Sequence, residues 1–275
     1  MKIGRIPYIN CYPVYGAIDR GVVRLEAELV DGVPTDLNRR MSIGELDISV
    51  VSAVEYARDS ARYLLLPDLA ISCDGPVRSV MLFSKRPATE LTGRNLIVSR
   101  SSMTSVALLE LLFENVWRAK PRFVAGDAEV RDVVDADDAD LDARLVIGDA
   151  ALVLGSNHRQ RYPHVYDLGQ MWKEWTGQPF VFAVWVAQRT TVVREALLAH
   201  AGLIASRDWG LLHLADLAEQ AHNATGVARR ICDEYLSGLD YGLSYPHLAG
   251  LTEFYRRLVE RGRIPNGTLT FLPAA

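Results

Sequence analysis

Short apolar runs alternate with amphipathic stretches through the first two-thirds of this chain, and that alternation constrains the fold more than any other feature. Ile3 to Ile6 reads as a strand ending in a turn at Tyr8-Ile9-Asn10. Leu25 to Val30 alternates at period two. Thr35 is placed to cap a helix carrying Leu37, Met41 and Ile43. Asp47 to Val51 is a short buried strand, and Ser52-Ala53-Val54-Glu55 has the form of a capping box opening the next helix. Tyr63 to Leu66, Val77 to Phe83, Asn95 to Ser99, Arg122 to Val124 and Leu145 to Ile147 continue the strand series. A helix between them carries Val106, Leu108, Leu109, Leu112, Phe113 and Val116 on its apolar face. Strands that alternate with helices in this way build a parallel α/β sheet.

The last third changes character. After the apolar strand Phe180 to Val186, the segments Val193 to Ser206, Leu211 to Asn223 and Val227 to Leu236 carry helical spacing, punctuated by Gly226 and Gly238. His247 to Arg261 repeats Leu248, Leu251, Phe254, Tyr255 and Leu258 on one face, with Gly262 and Pro265 as stop signals. No internal repeat is visible. The aspartate-rich stretch Asp132 to Asp142 reads as a solvated helix end and loop, and it lacks the glycine turn and final glutamate of a calcium loop.

Composition narrows the function classes. The 30 basic and 34 acidic residues give a net charge of −4, without the basic excess of a general nucleic-acid binder. The longest apolar run, Phe180 to Ala187, falls well short of the about 20 residues a membrane span needs. The N-terminus has no apolar secretory core, so a cytoplasmic protein is expected. Cys11, Cys73 and Cys232 are odd in number and widely spaced, which suits a reducing compartment rather than a disulfide framework. No Cys/His cluster or HExxH pair suggests a metal, and no GxGxxG, P-loop or GxSxG element is present. Neither a metal nor an organic cofactor is therefore expected.

Open α/β sheets bind ligands at the carboxyl ends of their strands. Four strand-to-helix junctions qualify. Tyr8 to Pro13 contains Asn10, which suits either helix capping or ligand contact. Ser52 follows the strand ending at Val51, where capping explains it. Ser101-Ser102-Met103-Thr104-Ser105 places several hydroxyls at a helix start, more than capping uses, and suits a carboxylate or phosphate. Gly148-Asp149 follows Ile147, with Asp149 placed as a cap. Asp47 and Glu55 read as capping or rim carboxylates rather than an acid/base pair, and Trp172 to Gly177 as an amphipathic helix end. From the residues alone this is a two-lobed cytosolic α/β protein with an anion-binding cleft.

The same junctions carry a family resemblance. Gly4-Arg5-Ile6-Pro7-Tyr8-Ile9-Asn10-Cys11-Tyr12-Pro13 resembles a G-x-(I/V)-x-Y-(I/L)-N-x-x-P motif. Gly44 to Tyr56 is similar to G-x-(L/I)-D-(I/V)-x-x-(V/I)-S-x-x-E-Y. Ser79 to Ser84 is similar to S-V-x-L-F-S, and Ser102 to Leu109 to S-x-T-S-x-x-L-L. Ile147 to Leu152 and Trp175 to Ala183 complete the series. Six motifs in order over about residues 4 to 187 resemble the chorismate dehydratase family of the futalosine route to menaquinone.

That resemblance implies a type II periplasmic-binding-protein-like fold: two α/β lobes around a central cleft, with a helical C-terminal portion. The chain would cross between lobes in the apolar strands Val77 to Ser84 and Val181 to Arg189. Lobe I would comprise residues 1–84 and 188–275, and lobe II residues 85–187. The implied reaction removes water from chorismate to give 3-[(1-carboxyvinyl)oxy]benzoate. The C3 proton and C4 hydroxyl leave, the ring becomes aromatic, and no cofactor is implied. Carried onto this chain, Asn10, Ser84 and Asp149 are the expected catalytic residues. Ser52, Ser79, Ser102, Thr104, Ser105 and Gly148 are the expected substrate contacts. Two rivals share the fold. One is a receptor for a small carboxylate solute, which an export signal would favour. The other is the sister enzyme 1,4-dihydroxy-6-naphthoate synthase, whose opening S-P-C-P-N-D-T-F differs from Ile6 to Pro13 here.

Overall fold

The computed structural model describes residues 1–99, 102–126, 141–157 and 161–273. Ser101 and the aspartates between 132 and 140 lie outside the described residues. Among the described residues, ten strands form two five-stranded sheets. The first sheet has the order β2-β1-β3-β10-β4, with β1 at Lys2–Arg5, β2 at Glu28–Asp31, β3 at Ile48–Ser52, β4 at Tyr63–Cys73 and β10 at Phe180–Gln188. The second has the order β7-β6-β8-β5-β9, with β5 at Val80–Ser84, β6 at Asn95–Ser99, β7 at Arg122–Gly126, β8 at Ala143–Ile147 and β9 at His164–Asp167. The two sheets repeat one pattern. Each has parallel strands on one side and one antiparallel strand inserted second from the opposite edge: β10 between β3 and β4, and β5 between β8 and β9.

This arrangement corrects the expected crossings. The strand Val80–Ser84 belongs to the second sheet and Phe180–Gln188 to the first, so neither run spans the two. A strand buried on both faces inside a sheet is apolar throughout, and that explains both runs without a crossing. The chain passes between sheets at residues 74–79 and 177–179, and each segment opens on turn residues: Asp74-Gly75-Pro76 and Gly177-Gln178-Pro179. The expected lobe limits at 84 and 188 move accordingly to these two segments.

Ten α-helices are described. They are α1 at Tyr12–Asp19, α2 at Pro34–Ser42, α3 at Ala53–Arg58, α4 at Met103–Leu112 and α5 at Asp149–Asn157. The rest are α6 at Leu168–Thr176, α7 at Val193–Leu212, α8 at Leu214–Thr225, α9 at Arg229–Ser237 and α10 at Tyr245–Glu260. Two expected boundaries change. Helix α2 starts at Pro34, with Val33 rather than Thr35 as its cap. Proline is pre-set for a first helical position and its missing N–H costs nothing there. Strand β4 does not end at Leu66. Its pairing with β10 shifts across residues 66–69, where Asp68 takes φ +52°, and then resumes to Cys73. Pro67 interrupts the ladder as a bulge rather than a terminus. The apolar core is continuous from Ile3 and Trp185 through Leu108 and Leu145, with a smaller cluster of Phe83, Val146, Leu154 and Tyr162 beneath α5. No helix among the described residues is long and apolar enough to cross a membrane.

Candidate functional site

The carboxyl ends of β1, β3, β6 and β8 point toward one another across the gap between the sheets. A narrow cavity of about 70 Å³ lies there. From the first sheet it is lined by Ile6, Tyr8, Asn10, Pro34, Ser52, Ile71, Phe182 and Ala183. From the second sheet and the crossing segment it is lined by Ser79, Val80, Ser102, Ser105, Ile147 and Gly148. Six expected site residues thus meet: Asn10, Ser52, Ser79, Ser102, Ser105 and Gly148. Larger hollows exist, such as the 610 Å³ one beside Glu110 and Arg261 and a 380 Å³ one that Ser102 also lines, but none gathers the expected site residues from both sheets. The strand-end position makes the small cavity the candidate site.

Each hydroxyl is held by its local structure. Ser52 caps α3 by accepting the Glu55 N–H at 3.2 Å. The expected capping box is only half formed. Glu55 accepts from the Tyr63 hydroxyl at 3.4 Å, and the Ser52 N–H goes to Asn38 Oδ1 at 3.3 Å. Ser102 caps α4, accepts the Ser105 N–H at 3.3 Å and donates to Ser105 Oγ at 2.7 Å. Helix α4 is ten residues long, so the positive end of its dipole adds to these hydroxyls. Ser79 is 2% exposed and reaches the Val77 carbonyl at 3.4 Å. Asn10 sits in the 3-10 turn Ile9–Cys11, and its Oδ1 is buried with no hydrogen-bond partner. Asn10 itself lines the cavity.

Gly148 takes φ +61°, and its N–H donates to the Ser79 carbonyl at 2.7 Å. A Cβ at this position would lie 3.1 Å from the Tyr8 ring, so the close approach of the two lobes here requires glycine.

Thr104 and Asp149 stand beside the cavity rather than on its wall, and both tie the two sheets together. The Val54 N–H of α3 donates to Thr104 Oγ1 at 3.0 Å, and the Ile9 N–H donates to Asp149 Oδ1 at 3.1 Å. Ser84 does not belong to the site. Strand β5 is antiparallel to β8, pairing Val80 with Ile147 and Ser84 with Ala143. Ser84 therefore lies at the opposite end of β8 from the cavity. Its hydroxyl donates to the Arg86 carbonyl at 2.6 Å, closing a turn. The expected catalytic role of Ser84 is corrected on that ground.

Three side chains at or behind the site had no place in the motif reading: Asn38, Tyr235 and Tyr241. Asn38 is a polar residue on the buried face of α2, between Leu37 and Met41. A polar residue in an apolar helical stripe signals a specific hydrogen-bond role. Tyr235 and Tyr241 are buried with unpaired hydroxyls, and burial pushes both phenols well above their usual range. Burial likewise pushes up the Cys11 thiol beside Asn10, with the Asp149 carboxylate acting the same way. None of the fourteen described lining residues carries a charge at neutral pH. Among the described residues, no group of three or more His, Cys, Asp or Glu side chains is arranged to hold a metal.

The family model described as menaquinone biosynthesis matches residues 1–260. The chain belongs to the menaquinone biosynthesis family. Within reach of this family, the chain is 31% identical over 268 residues to the chorismate dehydratase of Thermus thermophilus, covering 92% of this chain and 95% of that protein. It is 27% identical over 187 residues to the chorismate dehydratase of Campylobacter jejuni, covering 66% of each. Among solved structures, an Archaeoglobus fulgidus protein superposes with a TM-score of 0.80 at 20% identity, covering 96% of this chain and 98% of that one. The alkanesulfonate-binding protein of Xanthomonas axonopodis pv. citri, bound to MOPS, superposes at 0.70 and 11% identity, covering 98% and 96%. The fold of this family member is therefore that of the periplasmic binding proteins, with two mixed α/β sheets and a helical C-terminal region.

Proposed function

We propose that the cavity between the sheets is where this protein, a chorismate dehydratase and hydro-lyase, removes water from chorismate. The observation that carries this placement is the convergence of Asn10, Ser52, Ser79, Ser102, Ser105 and Gly148 on one cavity at the strand ends. Chorismate carries two carboxylates. The start of α4, with the Ser105 hydroxyl that Ser102 orients and its first free N–H groups, receives one of them through hydrogen bonds and the helix dipole. Asn10, on the cavity wall, donates through its amide N–H to the departing C4 oxygen and holds it in line. Ser79 and the Gly148 turn form the second lobe's wall against the ring. Loss of the C3 proton and the C4 hydroxyl releases one water and leaves an aromatic ring, 3-[(1-carboxyvinyl)oxy]benzoate.

The lining residues are hydroxyls, an amide and apolar groups, which orient a substrate but do not abstract a carbon-bound proton. The substrate's own enolpyruvyl carboxylate takes the C3 proton in this reading and passes it to the departing C4 oxygen, so that one water leaves and the carboxylate is regenerated. A well-oriented intramolecular step supplies roughly 7 kcal/mol or more of the barrier reduction, so orientation is the protein's main contribution. Asp149 acts by accepting the Ile9 N–H and holding the Asn10 turn against α5. The test is turnover of chorismate amidated at the enolpyruvyl carboxylate. The amide should bind and not react; near-normal turnover would overturn the self-base reading. A cytoplasmic site of action goes with it, since Cys11, Cys73 and Cys232 are all free and buried, as in a reducing compartment.

A further inference from the structure

A serine hydroxyl has one proton to donate and two lone pairs to accept with. At Ser52 both lone pairs are taken. One accepts the Glu55 N–H at 3.2 Å, and the other accepts Asn38 Nδ2–H at 3.4 Å. The Asn38 amide is doubly engaged, because its Oδ1 also accepts the Ser52 N–H at 3.3 Å. Asn38 is 4% exposed, so no water competes freely for this arrangement. Only the Ser52 proton remains, on a side chain that lines the cavity. Other serines nearby spend theirs inside the protein: Ser49 on the Val50 carbonyl at 2.9 Å, Ser79 on the Val77 carbonyl at 3.4 Å and Ser102 on Ser105 at 2.7 Å.

We propose that Asn38 is a positioning residue that locks Ser52 as an obligate hydrogen-bond donor into the cleft, selecting a substrate oxygen that can only accept. A carboxylate satisfies that requirement, and the first-sheet wall of the cleft thereby recognises one carboxylate of the substrate. This rests on the placement of chorismate in this cavity. Without the Asn38 amide, the freed lone pair and the freed Ser52 N–H let the hydroxyl rotate away from the cleft.

The test is steady-state kinetics on Asn38→Ala, Ser52→Ala and the double variant, with thermal midpoints measured in parallel. Ser52 is expected to bind the carboxylate alike in ground and transition states. Each single variant should therefore raise KM about tenfold with kcat little changed. The double variant should be no worse than Ser52→Ala, because Asn38 acts only through that hydroxyl. Additive losses overturn the proposal, as does a lowered thermal midpoint at Asn38→Ala with KM unchanged. An unchanged KM in Ser52→Ala overturns the placement of substrate against Ser52 itself, and so separates that failure from the positioning role. If Asn38→Ala does not fold, Asn38→Asp keeps the shape and the acceptor for the Ser52 N–H. It replaces the amide donor with an acceptor that captures the Ser52 proton. It must raise KM at least as much, and an unchanged KM there overturns the proposal.

Discussion

Asp167 pins the first crossing segment to the second sheet, and removing its carboxylate should destabilise the fold and loosen the cleft together. Its Oδ1 accepts the Val77 N–H at 3.0 Å, the Gly169 N–H at 2.9 Å and the Gln170 N–H at 3.1 Å. Its Oδ2 accepts the Arg78 N–H at 2.6 Å. Two of these bonds cap α6, a role whose loss to alanine costs about 1 kcal/mol. The other two hold Val77 and Arg78, where Arg78 takes φ +61°. Leaving each of those part-buried N–H groups unpaired costs about 1–3 kcal/mol. Burial opposes the carboxylate, pushing its pKa up against the pull of the four N–H groups, and this offsets part of the gain. Asp167→Ala should therefore lose about 3 kcal/mol, out of a total stability of about 5–15 kcal/mol. Urea unfolding followed by tryptophan fluorescence measures this directly. Asp167→Asn keeps one acceptor oxygen and should lose about half as much. A loss below about 1 kcal/mol in Asp167→Ala, or an asparagine variant as unstable as alanine, would refute the account of the crossing as a carboxylate-pinned turn.

Three other outcomes are expected. Asn10→Asp keeps the acceptor oxygen but puts a negative charge beside a dianionic substrate. At about 4 Å and an effective dielectric near 20 the repulsion is about 4 kcal/mol per charge, so kcat/KM should fall a hundredfold or more; retained activity would make Asn10 a turn residue only. Gly148→Ala forces an L side chain to φ +61° with its Cβ 3.1 Å from the Tyr8 ring, and should cost about 1–3 kcal/mol in urea unfolding while raising KM. Burial raises the thiol pKa of Cys11, Cys73 and Cys232, so iodoacetamide at pH 8 should label none of them in the native protein and all three in urea. Stoichiometric native labelling, read by mass, would contradict their burial.

What the sequence revealed follows from how local each signal is. The strand-to-helix junctions at Ser52, Ser102 and Gly148 were legible because capping hydroxyls and glycine turns act within a few residues, and the strand-end rule then places them on one edge. Ser84 was misjudged because it lies on the same motif strand as Ser79. Five residues of extended chain span roughly 17 Å, and the antiparallel direction of β5 carries Ser84 to the wrong end of the sheet. Strand direction is a tertiary property that an apolar run does not encode. The crossings were misplaced for the same reason. Burial of β5 and β10 on both faces made them look exceptional, while the turns at Asp74-Gly75-Pro76 and Gly177-Gln178-Pro179 that make the passage are ordinary in composition. Asn38 carried a signal, a polar residue in a helical apolar stripe, but its partner Ser52 is 14 residues away on another element.

The size of the cleft links this fold to its turnover. Pockets that enclose a small molecule usually measure about 300 Å³ or more, and the cavity here is about 70 Å³. On the proposed placement chorismate enters only when the sheets part, and polar contacts between them break as they do. Thr104 and Asp149 each hold one interlobe hydrogen bond, to Val54 N–H and Ile9 N–H. Each such bond contributes about 1 kcal/mol net. The half-exposed ion pairs of Arg261 with Glu114 and Arg263 with Glu110 add at most about 1 kcal/mol each. Thr104 thus contributes to closure, while the Ser105 hydroxyl proton on the same helix start is left for the proposed substrate. On that placement a protein of net charge −4 can accommodate a dianion. The attraction is built from hydroxyl protons and one helix dipole inside a closing cleft, where the low local dielectric strengthens each of them, and it needs no positively charged surface.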